Sequence, residues 1–424
     1  MTSECFVYIA LPEQTEFVTA GRFRLETDRH GVATGRFVYG RSYLARNNAV
    51  PIDPTELKLS PTTYETRLLK GMFGALRDAS PDYWGRRVIE RHFGSPGPGE
   101  LDYLLWSPDD RAGALGFGTG LEPPAPKRKF NRTIDLAKLQ AFADAIVKDE
   151  QLPQGPDAEQ TQELMLAGTS MGGARPKAVV EDDGALWIAK FNRLDDKWNH
   201  ARVERAMLEL ARACGIRTAE NRLTTIGDRD ALLVRRFDRE NTDQGYRRAR
   251  MLSALTVLRA EDTHTDREKW SYVLLAEELR RFCAQPKEDA PELFKRMCFN
   301  ALISNSDDHP RNHAVIAMEK DWKLSPAYDL TPNAQISIER RDLALACGDM
   351  GRYAHADNLL SQCARFLVST DDAKAIIDTM EQTVKDRWYE IACREGVSEK
   401  DCETIRGAFG YEGFRLTLEE ETVS

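Results

Sequence analysis

Ser304-Asn305-Ser306-Asp307-Asp308-His309-Pro310-Arg311-Asn312 is the stretch on which the reading of this chain turns. Before it, residues 291–304 carry Phe294, Met297, Cys298, Ala301 and Leu302 at helical spacing. That pattern predicts a core helix ending at the polar loop. After it, residues 313–318 and 321–324 predict a hairpin leading to Pro326-Ala327-Tyr328-Asp329. Three hard oxygen donors therefore follow one another along a short tract: the Asp307 carboxylate, the Asn312 carboxamide and the Asp329 carboxylate. Such donors, few in number, suit Mg²⁺ completed by phosphate and water. Taken alone, Asp307-Asp308-His309 reads equally well as a polar loop at a helix end.

The five-residue step from Asp307 to Asn312 is the step between catalytic Asp and metal-binding Asn in the kinase loop H-R-D-x-x-x-x-N, and Asp329 then stands where the DFG metal ligand would. Parts upstream fit the same chemistry. Gly172-Gly173-Ala174-Arg175-Pro176-Lys177 lets the backbone approach an anion closely. It is not a Walker A loop, because Ala178 follows Lys177 where Ser or Thr is required, and on its own it is also an ordinary turn. A hairpin is expected next, residues 178–181 and 185–191 around Asp182-Asp183-Gly184. Alternation places Leu186, Ile188 and Lys190 on one strand face. Lys190 is either a surface lysine at a strand end or the partner of nucleotide phosphates, held by Glu204 of the next helix. That helix is expected over 197–214 with Val203, Ala206, Met207, Leu210 and Cys214 inward, stopped by Gly215. A second hairpin, 221–226 with 231–238, follows the turn 227–230. This β-β-α-β-β order is the small lobe of a protein kinase in outline.

Further toward the N-terminus, residues 6–9, 21–26 and 34–39 read as short strands. Ser80-Pro81-Asp82 predicts a helix capped by Ser80, with Pro81 as its first residue, running to about His92. Residues 112–118 read as a packed strand, and 123–129 as a linker whose basic triplet is solvated or docks an acidic partner. Helices are expected over 136–147 and 159–166. Beyond the second hairpin they are expected over 252–258, 270–283, 355–368, 371–395 and 398–408.

The whole chain has 424 residues, 30% of them charged and 42% hydrophobic, with a formal net charge of −9. That balance argues against strong DNA binding by the chain alone, since phosphates are neutralised by clustered Lys and Arg. No window approaches the ~18 apolar residues of a membrane span. The eight cysteines form no C-x-x-C, and buried thiols are expected. These features predict a cytoplasmic protein that does not engage a membrane.

With these motifs in place, the chain resembles the HipA family of bacterial serine/threonine kinases, the toxins of HipA–HipB modules. Gly35-Arg36-Phe37-Val38-Tyr39-Gly40-Arg41-Ser42-Tyr43-Leu44, Pro81-Asp82-Tyr83-Trp84-Gly85-Arg86-Arg87 and Gly113-Ala114-Leu115-Gly116-Phe117 resemble its N-terminal subdomain. The glycine loop, Arg236-Phe237-Asp238, the 305–312 loop and Pro326-Ala327-Tyr328-Asp329 resemble its kinase core. The resemblance implies an α+β, bilobal protein-kinase-like fold, with a small β-rich N-lobe, a mostly α-helical C-lobe and an added N-terminal α/β subdomain. The division it suggests is 1–122, a linker over 123–134, an N-lobe over 135–245 and a C-lobe over 246–424.

By the same resemblance Asp307 is the catalytic base, and Asn312 and Asp329 hold Mg²⁺. ATP is bound by Gly172, Gly173, Ala174, Arg175, Pro176, Lys177, Lys190, the hinge Arg235, Arg236 and Phe237, and by His309, Pro310, Arg311, Asn312, Tyr328 and Asp329. Ser170 matches a site of autophosphorylation. Implied partners are a HipB-like helix-turn-helix antitoxin, DNA only through that antitoxin, and a protein substrate in translation such as an aminoacyl-tRNA synthetase. Two other readings stay open: a catalytically silent scaffold that docks an antitoxin, and a small-molecule kinase.

Overall fold

The computed structural model describes residues 3–94, 97–125, 131–132, 135–151, 166, 173–334 and 337–416. Ser170, Gly172, most of the helix expected over 159–166 and the basic triplet 127–129 lie outside the described residues. The chain divides into two compact units. One comprises Met1–Asp196, Ala219–Glu261 and Ala314–Ser325; the other comprises Lys197–Thr218, Asp262–His313 and Pro326–Ser424.

Every described strand of three or more residues falls in the first unit. Five form an antiparallel sheet in the order β4 (Tyr64–Thr66), β3 (Ala33–Tyr39), β2 (Phe17–Thr27), β1 (Glu4–Ala10), β5 (Leu115–Gly118). Gly35 has no side chain because Gly71 comes too close. A Cβ there would sit 1.9 Å from the Gly71 carbonyl oxygen, far inside van der Waals contact.

A second sheet runs β6 (Asn131–Arg132), β7 (Lys177–Asp182), β8 (Ala185–Phe191), β10 (Arg229–Arg235), β9 (Asn221–Ile226). The β7–β8 turn holds Asp183 at φ 47° and Gly184 at φ 68°, the left-handed pair that a two-residue hairpin needs. Alternation then sorts the faces. Ala178, Val180, Trp187, Ala189, Phe191, Ala231 and Leu233 pack on the helices Leu136–Val147 and Tyr83–Phe93 through Leu139, Phe142, Trp84 and Val88. Burying each of the large residues contributes about 1.5–3 kcal/mol. The opposite face carries Val179, Leu186 and Ile188, and Lys190 shares it by period. Two smaller sheets complete the unit: β11 (Arg239–Thr242) with β12 (Gly245–Arg248), and β13 (Arg250–Ser253), β14 (Ala314–Ala317), β15 (Lys323–Leu324).

The second unit is helical. The helix His200–Ala213 buries Val203, Ala206, Met207 and Leu210 and packs on the long helix Thr370–Arg394. Asn199 caps it by accepting from the Arg202 N–H at 3.1 Å. Gly215, at φ 74°, stops it. With one β-rich unit and one helical unit, the chain has the α+β, protein-kinase-like fold class expected.

Some local expectations are corrected. The helix over 83–93 is capped by Asp82, whose carboxylate accepts from the Gly85 N–H at 3.2 Å, and not by Ser80. The helix leading to the loop starts at Pro286, five residues before Pro291. Pro286 suits the first helical position, Glu288 and Asp289 favour the first turn, and Pro291 forfeits only one intrahelical bond. Residues 252–253 belong to β13, which leaves a helix of only Ala254–Val257. The apolar run 103–106 is helical within Glu100–Trp106.

Candidate active site

In the helical unit the helix Pro286–Leu302 delivers the chain into the loop. Ser304 turns it at φ 55°. The main chain then folds tightly: the His309 N–H donates to the Asp307 carbonyl and the Asn312 N–H to the His309 carbonyl, each at 2.7 Å. The alternation inside this loop is sharp. Asp307 is exposed, whereas Asp308 is only 1% exposed.

The loop is held from both sides. The Asn333 N–H donates to the Ser304 carbonyl at 3.2 Å, and the Asn333 amide donates to the Ser306 hydroxyl at 2.7 Å. The Ser304 hydroxyl donates to the Ala408 carbonyl at 2.6 Å and accepts from Arg341 at 2.5 Å. His309 is fixed on three sides. Nε2 meets Asp262 at 2.9 Å, Nδ1 accepts from the Arg311 N–H at 3.1 Å, and Trp270 packs edge to face at 4.4 Å.

Tyr328 and Asp329 arrive by a separate route. Ala327 bridges Thr218, and its N–H donates to the Arg217 carbonyl at 2.8 Å. Arg217 is in turn held by Asp289 and Glu292 of the Pro286–Leu302 helix. The Tyr328 hydroxyl donates to the Arg311 carbonyl at 2.8 Å, fastening this segment to the loop. Asp329 has φ 59°. Non-glycine residues in the left-handed region cost about 1–3 kcal/mol each and cluster at functional sites, and here Ser304 and Asp329 stand at the two ends of one constellation.

The charges interact. Asp307 has its carboxyl pKa raised, first by partial desolvation and then by the negative charge of Asp329, against weaker opposition from His309 and Arg267. The Asn312 amide reaches the Asp307 main-chain carbonyl at 3.5 Å. Two interacting carboxylates are a place where a divalent cation would relieve repulsion, and the Asn312 carboxamide nearby in the loop is a further candidate ligand. Asp307, Asn312 and Asp329, singled out by spacing, thus lie in one unit and interact.

The first unit carries the other predicted residues. Lys177 and Lys190 are directly paired across β7 and β8. Lys177 is buried. Its ammonium donates to the Gly173 carbonyl at 3.0 Å and lies 3.8 Å from the Asp82 carboxylate. Its main-chain carbonyl accepts from the Trp84 indole at 3.2 Å. Lys177 therefore works on its own loop, drawing Gly173 toward the Tyr83–Phe93 helix. Lys190 is half-buried. The Arg175 guanidinium grips Asp196 and is thereby held away from simple solvation. The Pro176 carbonyl accepts from the Phe191 N–H at 3.1 Å.

At 235–237 the three residues are placed differently from one another, with Phe237 half-buried. Arg235 is exposed and paired with Glu220 at 2.7 Å. The Arg236 side chain is fully buried and bound to Asp110, to Asp238 at 2.9 and 3.0 Å, and to the Arg111 carbonyl at 2.8 Å. Its guanidinium is committed to the protein interior, and the Arg235 and Arg236 N–H groups donate to the Glu220 and Leu186 carbonyls, each at 2.8 Å.

The HipA-like C-terminal domain model matches residues 169–388, more than half of the chain. The chain belongs to the HipA-like family. "Putative kinase Y4mE" of Sinorhizobium fredii is 26% identical over 328 residues, spanning 72% of this chain and 73% of that protein. The HipA of Shewanella oneidensis MR-1, solved as a complex with HipB and its operator DNA, superposes with a TM-score of 0.67 at 17% identity, covering 95% of this chain and 94% of that one. At that identity the likeness concerns the fold, which is that of HipA across nearly the full length.

Several further residues hold candidate side chains in place within each unit. Asp82 reaches the glycine loop through Lys177. Asp262 holds His309. Asp308 and His313 form a buried pair behind the loop. Asp82 had a local signal, the position after Ser80-Pro81, yet its link to Lys177 spans a sequence distance that no local pattern reports. All eight cysteines are free thiols. Among the described residues no helix is long and apolar enough to cross a membrane.

Proposed function

We propose that this chain is an ATP- and Mg²⁺-dependent protein serine/threonine kinase, the toxin of a toxin–antitoxin pair. The observation that carries the reading is the Asp307–Asn312–Asp329 constellation, with Asp307 perturbed by Asp329. Among the described residues no three or more His, Cys, Asp or Glu side chains are grouped to hold a metal by themselves. An ion held by Asn312 and Asp329 would need phosphate and water oxygens to complete its shell. When bound, Mg²⁺ neutralises charge on the transferring phosphate.

Asp307 accepts the proton of a substrate hydroxyl as that oxygen attacks the γ-phosphorus of ATP and ADP departs. Lys190 and the N–H groups of Gly172, Gly173 and Ala174, with Arg175, Pro176 and Lys177 shaping the loop, bind the phosphates. Arg235, Arg236 and Phe237 form the hinge beside adenine. His309, Pro310, Arg311 and Tyr328 border the nucleotide. Ser170 is the site of autophosphorylation, where a phosphate dianion would repel ATP. The division into 1–122, 123–134, 135–245 and 246–424 assigns these roles to an N-lobe and a C-lobe. The substrate is a protein of translation such as an aminoacyl-tRNA synthetase. A HipB-like antitoxin is the partner, by analogy with the complex of the Shewanella protein, and it brings the acidic chain to DNA.

The test is incubation of the purified protein and its Asp307→Asn and Asp329→Asn variants with labelled ATP, Mg²⁺ and a cell lysate. Label on serine or threonine of protein, lost in both variants, is expected. Label only on a metabolite would make it a small-molecule kinase, and no label at all would leave a scaffold. Intact mass should rise by one phosphate in the wild type and not in Ser170→Ala.

A further inference from the structure

Behind the exposed pair Asp307 and Asn312 runs a second, buried pair, displaced by one residue and with the same five-residue step. Asp308 follows Asp307, and His313 follows Asn312. The Asp308 carboxylate accepts from His313 Nε2 at 2.8 Å and also from the Tyr272 hydroxyl. Exposures of 1% and 3% put Asp308 and His313 out of reach of solvent. Tyr272 accepts from the Asn300 amide at 3.0 Å, and the Asn300 carbonyl oxygen accepts from the Asn305 amide at 3.1 Å. The Tyr272 and His313 rings meet edge to face at 5.3 Å.

This is an unbroken chain of five polar side chains. Tyr272 begins the helix Tyr272–Phe282 and Asn300 lies near the end of the helix Pro286–Leu302. The other three residues, Asn305, Asp308 and His313, stand at the start, middle and end of the loop. No guanidinium or ammonium contributes to the chain. Among the described residues, the Asp308 carboxyl group is met by the Tyr272 phenol and the His313 imidazole, both buried with it. A buried carboxylate costs a great deal unless its donors are placed well. Such a cost favours the loop conformation that satisfies it.

We infer that Asp308 and His313 are positioning residues that set the separation of Asp307 and Asn312, with Tyr272, Asn300 and Asn305 tying the pair to two helices. The inference rests on the kinase reading for what that separation achieves. The loop is pinned from inside at 305, 308 and 313, and the residues left pointing outward at 307 and 312 inherit their spacing. Neither Asp308 nor His313 touches substrate.

The test compares wild type with Asp308→Ala, His313→Ala, His313→Gln and Tyr272→Phe. Glutamine offers an N–H donor near the place of Nε2 and serves as the conservative rescue. Substitutions behind a ligand commonly reduce activity about 10–100-fold. His313→Ala and Asp308→Ala should lose kcat by that factor with KM for ATP changed less than about threefold, and His313→Gln should recover most of the loss. Amide hydrogen exchange of the 304–313 segment, which needs no activity, should quicken in both alanine variants and return toward wild type in His313→Gln. If either alanine variant fails to fold, Tyr272→Phe, which keeps the ring and deletes one donor, supplies the same two readouts. A wild-type kcat in the folded alanine variants, or unchanged exchange of the loop, would overturn the inference. An inactive wild type whose alanine variants still loosen the loop would sink the kinase reading and leave the positioning role standing.

Discussion

Replacing Asp238 by alanine should destabilise the first unit by about 3–5 kcal/mol, the cost of stripping one partner from a buried ion pair. The magnitude follows from what the carboxylate holds. It accepts from Arg236 at 2.9 and 3.0 Å, from Arg239 at 2.8 Å and from the Gly113 N–H at 2.9 Å. Arg236 and Arg239 are both essentially without solvent access, and Asp110 would be left to balance them both. Burial opposes ionisation of Asp238, but Arg236 and Arg239 overcome it and hold its carboxyl far below the usual range. Arg239 itself is pushed down to about 9, chiefly by burial and next by Arg236.

The sign with pH follows. A depressed carboxyl pKa contributes stability that is fully present above the ordinary value of 3.8. It is lost as pH falls toward the folded value. The gap between wild type and Asp238→Ala should therefore be constant from pH 7 to about 5 and narrow below about 4. Thermal unfolding followed by circular dichroism measures it. At about 2–4 °C per kcal/mol the transition of the β-rich unit should drop by roughly 6–20 °C. A fall under about 2 °C at pH 7, or a gap that widens on acidification, would refute the argument that these charges are mutually compensated.

Three further outcomes are expected. Asp307→Asn should lower the phosphotransfer rate by about 10²–10⁴-fold, the usual contribution of a general base, while nucleotide binding measured by calorimetry persists. The Asp307 carboxyl, followed by NMR titration, should ionise at lower pH in Asp329→Asn than in wild type, since Asp329 raises it, and Mg²⁺ should move the wild-type value in the same direction. Asp82→Ala should lose a helix cap worth about 1 kcal/mol and free Lys177; chemical denaturation reads the first loss, and faster amide exchange over 173–177 reads the second.

How far the chain could be read from sequence depended on whether the deciding contact was local. The β7–β8 hairpin and the helix Leu136–Val147 came through with their bounds nearly intact, because turn residues and apolar period are properties of adjacent positions. The Asp307–Asn312 spacing was likewise local. Ser80 against Asp82 was a contest between two good caps, settled by which side chain could reach the Gly85 N–H. Asp307 and Asp308 carry the same side chain at neighbouring positions, and only tertiary packing against Tyr272 made one a surface acid and the other a buried anchor. Arg236-Phe237-Asp238 resembles a kinase-core motif that overlaps the expected hinge, Arg235 to Phe237. Its charged residues prove to be the interior of an ionic knot whose other half, Asp110 to Gly113, lies far upstream and left no mark on the local pattern.

That knot also imposes a schedule. Arg236 meets the Arg111 carbonyl across 125 residues, so at a synthesis rate of about 5–20 residues per second the N-terminal segment waits roughly 6–25 s on the ribosome before its counter-charges exist. During that interval the Asp110 carboxylate lacks the Arg236 guanidinium that neutralises it, so burying it is costly. The protein is thus committed to finishing its N-terminal part late, after much of the chain that follows it has been made.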